Sequence, residues 1–230
     1  MPGGDLPGGD SILLSWAGFG YSAGALAIMV ALAMLLSSYV KIATVLAIVR
    51  AGFGFYSLPS VFVTGGLAVG LSFFAMYPTL QGATEAAKRT AQAQGGAMGG
   101  AMTDSARAAV SQAALDEWKV FLVRESKPAV RERFAIATQV KTPPSKELSE
   151  SWRVVVPAFI VSQLEDAFRT GFMLFLPLLV VELLVGAVLL SLGATQVDTG
   201  LVSLPLKILL FVALDGWALI TTNLVATYAQ

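Results

Sequence analysis

A serine stands in the frame Gly20-Tyr21-Ser22-Ala23-Gly24. This is the G-x-S-x-G spacing with which hydrolases present a nucleophilic hydroxyl. That chemistry needs a base to take the serine proton and a strand-to-helix turn to expose it. The chain of 230 residues contains no His, and the motif opens an apolar helical run. Gly20 and Gly24 therefore read as a small-xxx-small face for helix packing, and Gly66 and Gly70 in GLAVG repeat it. No Walker loop is present, so the chain does not itself hydrolyse nucleotide. With no Cys and no His, thiolate chemistry, disulfides and the commonest metal ligand are excluded. No Asp/Glu cluster has the spacing of a hard-cation site. The expectation is a protein that is not an enzyme and uses no cofactor or metal.

The remaining chemistry lies in charges placed where charges are costly. SLPLKILLFVALDGWALI (203–220) holds Lys207 and Asp215 inside an apolar run, where each charge costs roughly 2.5–3.5 kcal/mol at a bilayer centre. Eight residues turn a helix by about 80° net and rise about 12 Å. The two lie on one broad face but cannot reach each other, so each needs an external partner. Lys207, near the start of the run, has snorkelling as its bland alternative. Glu182 sits in LPLLVVELLVG with no local partner, which by default marks it as a functional or assembly residue, with snorkelling to an interface as the bland alternative. In SQLEDAFRTGF (162–172), Glu165 precedes Arg169 by four residues, the favourable order for a helical ion pair; a polar site facing another subunit is the alternative.

The elements that carry these residues are membrane helices. The chain is 56% hydrophobic and 13% charged, with mean hydropathy +0.73, against about 25% charged for a soluble domain. The formal net charge is zero, which gives no basic field for nucleic acid. The fold class is all-α: about four apolar segments in helical hairpins, with a soluble helical insert between the second and third. Residues 1–20 form an N-terminal extracytoplasmic segment. Residues 21–80 form the first hairpin, from the runs 21–40 and 58–78, with Pro59 suited to a helix start. The insert, 81–153, follows; residues 85–153 hold 19 of the 30 charged residues. Within it AQGGAMGGAM (93–102) reads as a linker and KTPPSKE (141–147) as a break. Between them Val110, Ala114, Trp118, Phe121 and Leu122 recur at helical spacing. Residues 154–230 form the second hairpin region; its run to Gly193 is too long for one simple span and is expected to bend or break at Gly171 and Pro177.

Lys41 and Arg50 lie between the first two runs without nearby acids, and short basic loops stay cytoplasmic. The topology expected is N-terminus out, 41–58 in, insert out, 194–202 in, C-terminus out. The N-terminal residues lack the positive region of a secretory signal, so the first helix is expected to be retained.

Four stretches in order resemble the FliP/SctR family of flagellar and type III secretion export gates. They are YVKIATVLAIVRAGFG (39–54), LPSVFVTGGLAVGLSFFAMYP (58–78), PAFIVSQLEDAFRTGFMLFLPLLVVELLVGAVLLSLG (157–193) and SLPLKILLFVALDGW (203–217). The resemblance covers nearly everything except the N-terminus and the insert. Three departures stand out. Ser162, Gln163, Leu164 and Glu165 occupy the place of the family's Ser-Glu-Leu-Lys. Glu182 replaces an Asp and keeps the charge. Ala194, Thr195 and Gln196 stand where the family has a Met-rich loop that seals the pore, which makes them the pore-seal positions by resemblance.

The resemblance implies a structural role: a homopentameric ring, joined by two smaller export-gate membrane proteins, enclosing a channel for unfolded secreted proteins. It places the chain in the bacterial inner membrane as a multi-pass protein, with the assembly largely on the periplasmic side. The lack of a signal sequence favours the injectisome branch. A second reading is an ion- or proton-conducting transporter or channel subunit with Glu182, Asp215 and Lys207 as its relay. A third is a membrane anchor whose insert is the working domain.

Overall fold

The structure, a computed structural model, describes residues 24, 26–28, 30–54, 60–93, 104–138 and 150–226. Eight helices and no strand occur among the described residues: α1 Leu26–Leu35, then α2 Tyr39–Phe53, α3 Val61–Ala93, α4 Asp104–Glu125, α5 Pro128–Thr138, α6 Trp152–Ser191, α7 Thr199–Ala213 and α8 Gly216–Ala226. The all-α expectation holds. Two helices, α3 and α6, are long and apolar enough to cross a membrane, or up to four spans exist if bent helix pairs count as one. Gly20, Ser22, Pro59, the glycine linker 93–102 (apart from Ala93) and KTPPSKE lie outside the described residues. Residues 1–35 form one compact unit, which carries α1, and residues 36–230 another.

Helix ends follow local chemistry. Residues 36–38 leave the helical path, and the Ser37 Oγ accepts a hydrogen bond from the Tyr39 N–H at 3.3 Å. Such side-chain-to-backbone bonds compete with the helix ladder. Ser60 starts α3 by accepting from the Val63 N–H at 3.3 Å, and Asp198 starts α7 by accepting from the Gly200 N–H at 2.8 Å. Gly193 closes α6 in the left-handed region at φ 69°, where the Ala194 N–H returns to the Leu189 carbonyl at 2.9 Å. That is the left-handed glycine stop seen at many helix ends.

The break expected at Gly171 and Pro177 does not occur. α6 runs 40 residues through Pro157 and Pro177, about 60 Å at 1.5 Å per residue. A proline removes only its own N–H and crowds one carbonyl, which long membrane-type helices tolerate. Gly171 serves instead as a contact: an added Cβ would lie 2.6 Å from the Ile48 side chain. Gly52 likewise faces Leu178 and Phe175 of α6. Since 48 meets 171 and 52 meets 178, α2 and α6 run parallel in close contact.

Two apolar clusters result. Ile42, Val45, Leu46, Val49 and Phe53 of α2 join Ala68 of α3, Ala167 and Leu178 of α6 and Ile220 of α8. Ala75 and Met76 of α3 join Phe121 and Leu122 of α4 and Val155 and Phe159 of α6. The second cluster packs α4 of the insert against α3 and α6. α3 also continues unbroken across position 80, so its last turns belong to the same surface as α4. Trp118 anchors this surface by donating its Nε1–H to the Leu36 carbonyl at 3.2 Å.

Candidate functional site: a polar junction of three helices

Lys207 is fully buried on α7. Its Nζ donates to Glu182 Oε2 of α6 at 2.6 Å and to the Gly52 carbonyl at 2.8 Å. Gly52 lies in the last turn of α2, where carbonyls have no intrahelical partner and the helix dipole favours a cation. One ammonium thus caps α2, neutralises the carboxylate of α6 and anchors α7. The Glu182 side chain is 42% exposed, so the two charges are unequally desolvated. Lys207 does not snorkel: its partners come to it.

Below this junction, Phe53 meets Phe211 edge-on, with ring centroids 5.3 Å apart, and Phe211 meets Trp217 the same way at 5.4 Å. Asp215 lies just where the apolar run breaks. It adopts φ 49° between α7 and α8, which are bent by 67°. The adjoining Gly216 has the Phe211 ring against its backbone, so that a Cβ would collide with it. Asp215 is therefore not in mid-helix as the sequence pattern suggests. It is exposed, and no side-chain partner for it occurs among the described residues.

Glu165 does not pair with Arg169. Its carboxylate reaches Lys127 at 3.1 Å, and Asp166 reaches the same ammonium at 2.7 Å. The hydrogen bond that the ammonium donates to Asp166 raises the Lys127 pKa above its ordinary value; burial opposes it, and the bond donated to Glu165 adds to it. Arg169 is exposed and makes no ion pair among the described residues. The (i, i+4) spacing within one helix loses here to a cation delivered from another element.

Among the described residues, no atom of another element lies within 4 Å of a Cβ added at Gly24, Gly66 or Gly70. Close helix contacts occur instead at Gly52 and Gly171, and at Gly82 of α3, where an added Cβ would lie 2.9 Å from Glu117 of α4. Ala194, Thr195 and Gln196 form the turn between α6 and α7, with Thr195 and Gln196 exposed. Among the described residues no group of three or more His, Cys, Asp or Glu converges to hold a metal ion. Sequence reasoning missed Gly52, whose contribution is a backbone carbonyl. It also passed over Lys127, although the ESKP sequence around it, with a Pro after it, marks a helix break.

The FliP family model matches residues 23–224. The chain is 34% identical over 208 residues to the hypersensitivity response secretion protein HrcR of Ralstonia nicotianae, covering 89% of this chain and 93% of that protein. It is 33% identical over 221 residues to the flagellar biosynthetic protein FliP of Cereibacter sphaeroides, covering 96% of this chain and 70% of that one. Surface presentation of antigens protein SpaP of Shigella flexneri is 28% identical over 192 residues, covering 83% and 86%. The match takes in the three helices that meet at Lys207 and the whole insert, and the chain belongs to the FliP family.

Proposed function

We propose that this chain is a core subunit of a type III protein export gate in the bacterial inner membrane. Copies of it form a ring, pentameric by family resemblance, which two smaller membrane proteins join, and unfolded secreted proteins pass through the enclosed channel. The assembly lies largely on the periplasmic side, and its role is structural, not catalytic.

The observation that carries this reading is the Lys207–Glu182–Gly52 junction in a chain matched by the family model over residues 23–224. A relay carboxylate has to exchange its proton freely. Glu182 is tied to a buried ammonium that also caps a helix, which supports an architectural role over the ion-conducting alternative. The wide apolar faces left open, with Phe62 91%, Phe73 65% and Phe74 65% exposed on α3, agree with a subunit whose neighbours are other helices or lipid. Deleting the chain from its host should abolish type III secretion or flagellar assembly, and re-expression should restore it. Intact secretion and motility after deletion would contradict the proposal.

A further inference from the structure

The corner between α4 and α5 rests on one short stretch of α6, and its contacts there are polar. α4 ends at Glu125 and α5 begins at Pro128. Ending one helix and starting another leaves carbonyls and N–H groups without intrahelical partners. Side chains of α6 supply them. Gln163 Nε2 donates to the Glu125 carbonyl at 3.0 Å, and the Lys127 backbone N–H donates to Ser162 Oγ at 3.0 Å. Ser162 and Gln163 are 0% and 1% exposed. One turn on, Glu165 and Asp166 close on the Lys127 ammonium. Within the corner, Ser126 Oγ donates to the Val123 carbonyl at 3.1 Å, and Arg131 donates to the same carbonyl and to Ser126 Oγ.

α5 has little apolar hold of its own, since Val130 and Ala135 are the residues it buries. α4, by contrast, sets Phe121 and Leu122 into a shared core. The attachment of α5 therefore depends on the corner. The parts of the corner differ in exposure. The Ser162 and Gln163 contacts are sealed, whereas the Lys127 and Asp166 side chains are each 33% exposed and Glu165 is 59% exposed. Half-exposed ion pairs are screened by salt; buried hydrogen bonds are not.

We infer that Lys127 is a positioning residue: with Glu165 and Asp166 it forms an ionic catch that sets the α4–α5 corner on α6, the helix that carries Glu182. Opening the catch loosens α5 while the apolar clusters of α2, α3 and α6 hold. This inference does not depend on the proposed function, because it concerns one chain's own fold.

Hydrogen exchange on the purified full chain in lipid nanodiscs tests it, with residues 128–138 as the reporter and 42–53 as the internal control. Lys127→Ala should speed exchange of the reporter by about 3- to 10-fold, the range expected for losing two partly exposed ion pairs, and leave the control unchanged. Lys127→Glu should speed it further. Lys127→Glu combined with Asp166→Lys should return it to within about twofold of the unmodified chain, a charge-swap rescue that a purely steric role does not give. Raising NaCl from about 0.1 to about 1 M should speed the reporter in the unmodified chain but not in Lys127→Ala. A Lys127→Ala reporter within twofold of the unmodified chain, or a swap no slower than Lys127→Glu alone, overturns the catch. Where a variant does not fold, a reporter indifferent to salt in the unmodified chain overturns it equally.

Discussion

Lys207 and Glu182 answer each other across two helices, yet the pair is asymmetric. Among the described residues, removing Glu182 leaves a fully buried ammonium with the Gly52 carbonyl alone; removing Lys207 leaves a carboxylate that is 42% exposed and can find water. Breaking a buried pair costs about 3–5 kcal/mol, mostly from the charge left behind. Glu182→Ala should therefore destabilise the chain more than Lys207→Met, by thermal unfolding in detergent; the reverse order would show that Glu182 is the better-shielded charge. Asp215 separates backbone from charge. A side chain at φ 49° is tolerated for Asp and Asn and costs roughly 1–2 kcal/mol for most others. Asp215→Gly and Asp215→Asn should leave chain stability unchanged, while Asp215→Leu lowers it. Complex yield on native gels should fall for all three, least for Asn, if the carboxylate meets a donor on a neighbour. Undiminished yield for Asp215→Gly would remove that neighbour. The sequence told that Lys207 and Glu182 each lacked a local partner. It could not tell that they are each other's, because 25 residues and a helix turn separate them, and the third member is a backbone carbonyl that leaves no mark in the sequence.

At the scale of elements, the described glycines divide into those whose added Cβ would press on another helix and those whose added Cβ would meet no described atom. Gly171→Ala would press on Ile48, with a Cβ 2.6 Å from its side chain, and Gly52→Ala on Leu178 at 2.8 Å. Overpacking of this kind costs about 1–3 kcal/mol, and both variants should unfold more readily. Gly66→Ala and Gly70→Ala find open space and should be neutral or stabilising by about 0.5–1 kcal/mol in the isolated chain, through helix propensity. If either nonetheless lowers complex yield, its face packs on another molecule; normal yield for both places that face in lipid. The helices of the fold were legible from apolar runs and from the spacing of Trp118, Phe121 and Leu122. Their breaks were not. Pro177 and Gly171 looked disruptive but sit inside one continuous helix. The breaks at 36–38 and at Asp215 carry no proline, and tertiary packing around Gly216 and Phe211 governs the second. The insert reads as a separate segment in the sequence, and in the structure α3 runs across position 80 while Phe121 of α4 shares a core with Val155 and Phe159 of α6.

At the scale of the whole molecule, the proposed function makes the chain one part of a larger body. The chain has no Cys, so single Cys probes read its topology cleanly. Cys at Ala51, exposed beside the α2 end, should label only from the cytoplasm, and Cys within 95–105 only from the periplasm. The opposite pattern would contradict the orientation proposed. The central claim is tested most directly by purifying the tagged chain from native membranes under mild conditions and weighing the intact complex. The proposed gate predicts several copies of this chain held with two smaller membrane proteins. A chain recovered alone or as a simple dimer, and conducting protons when reconstituted by itself, would contradict the account.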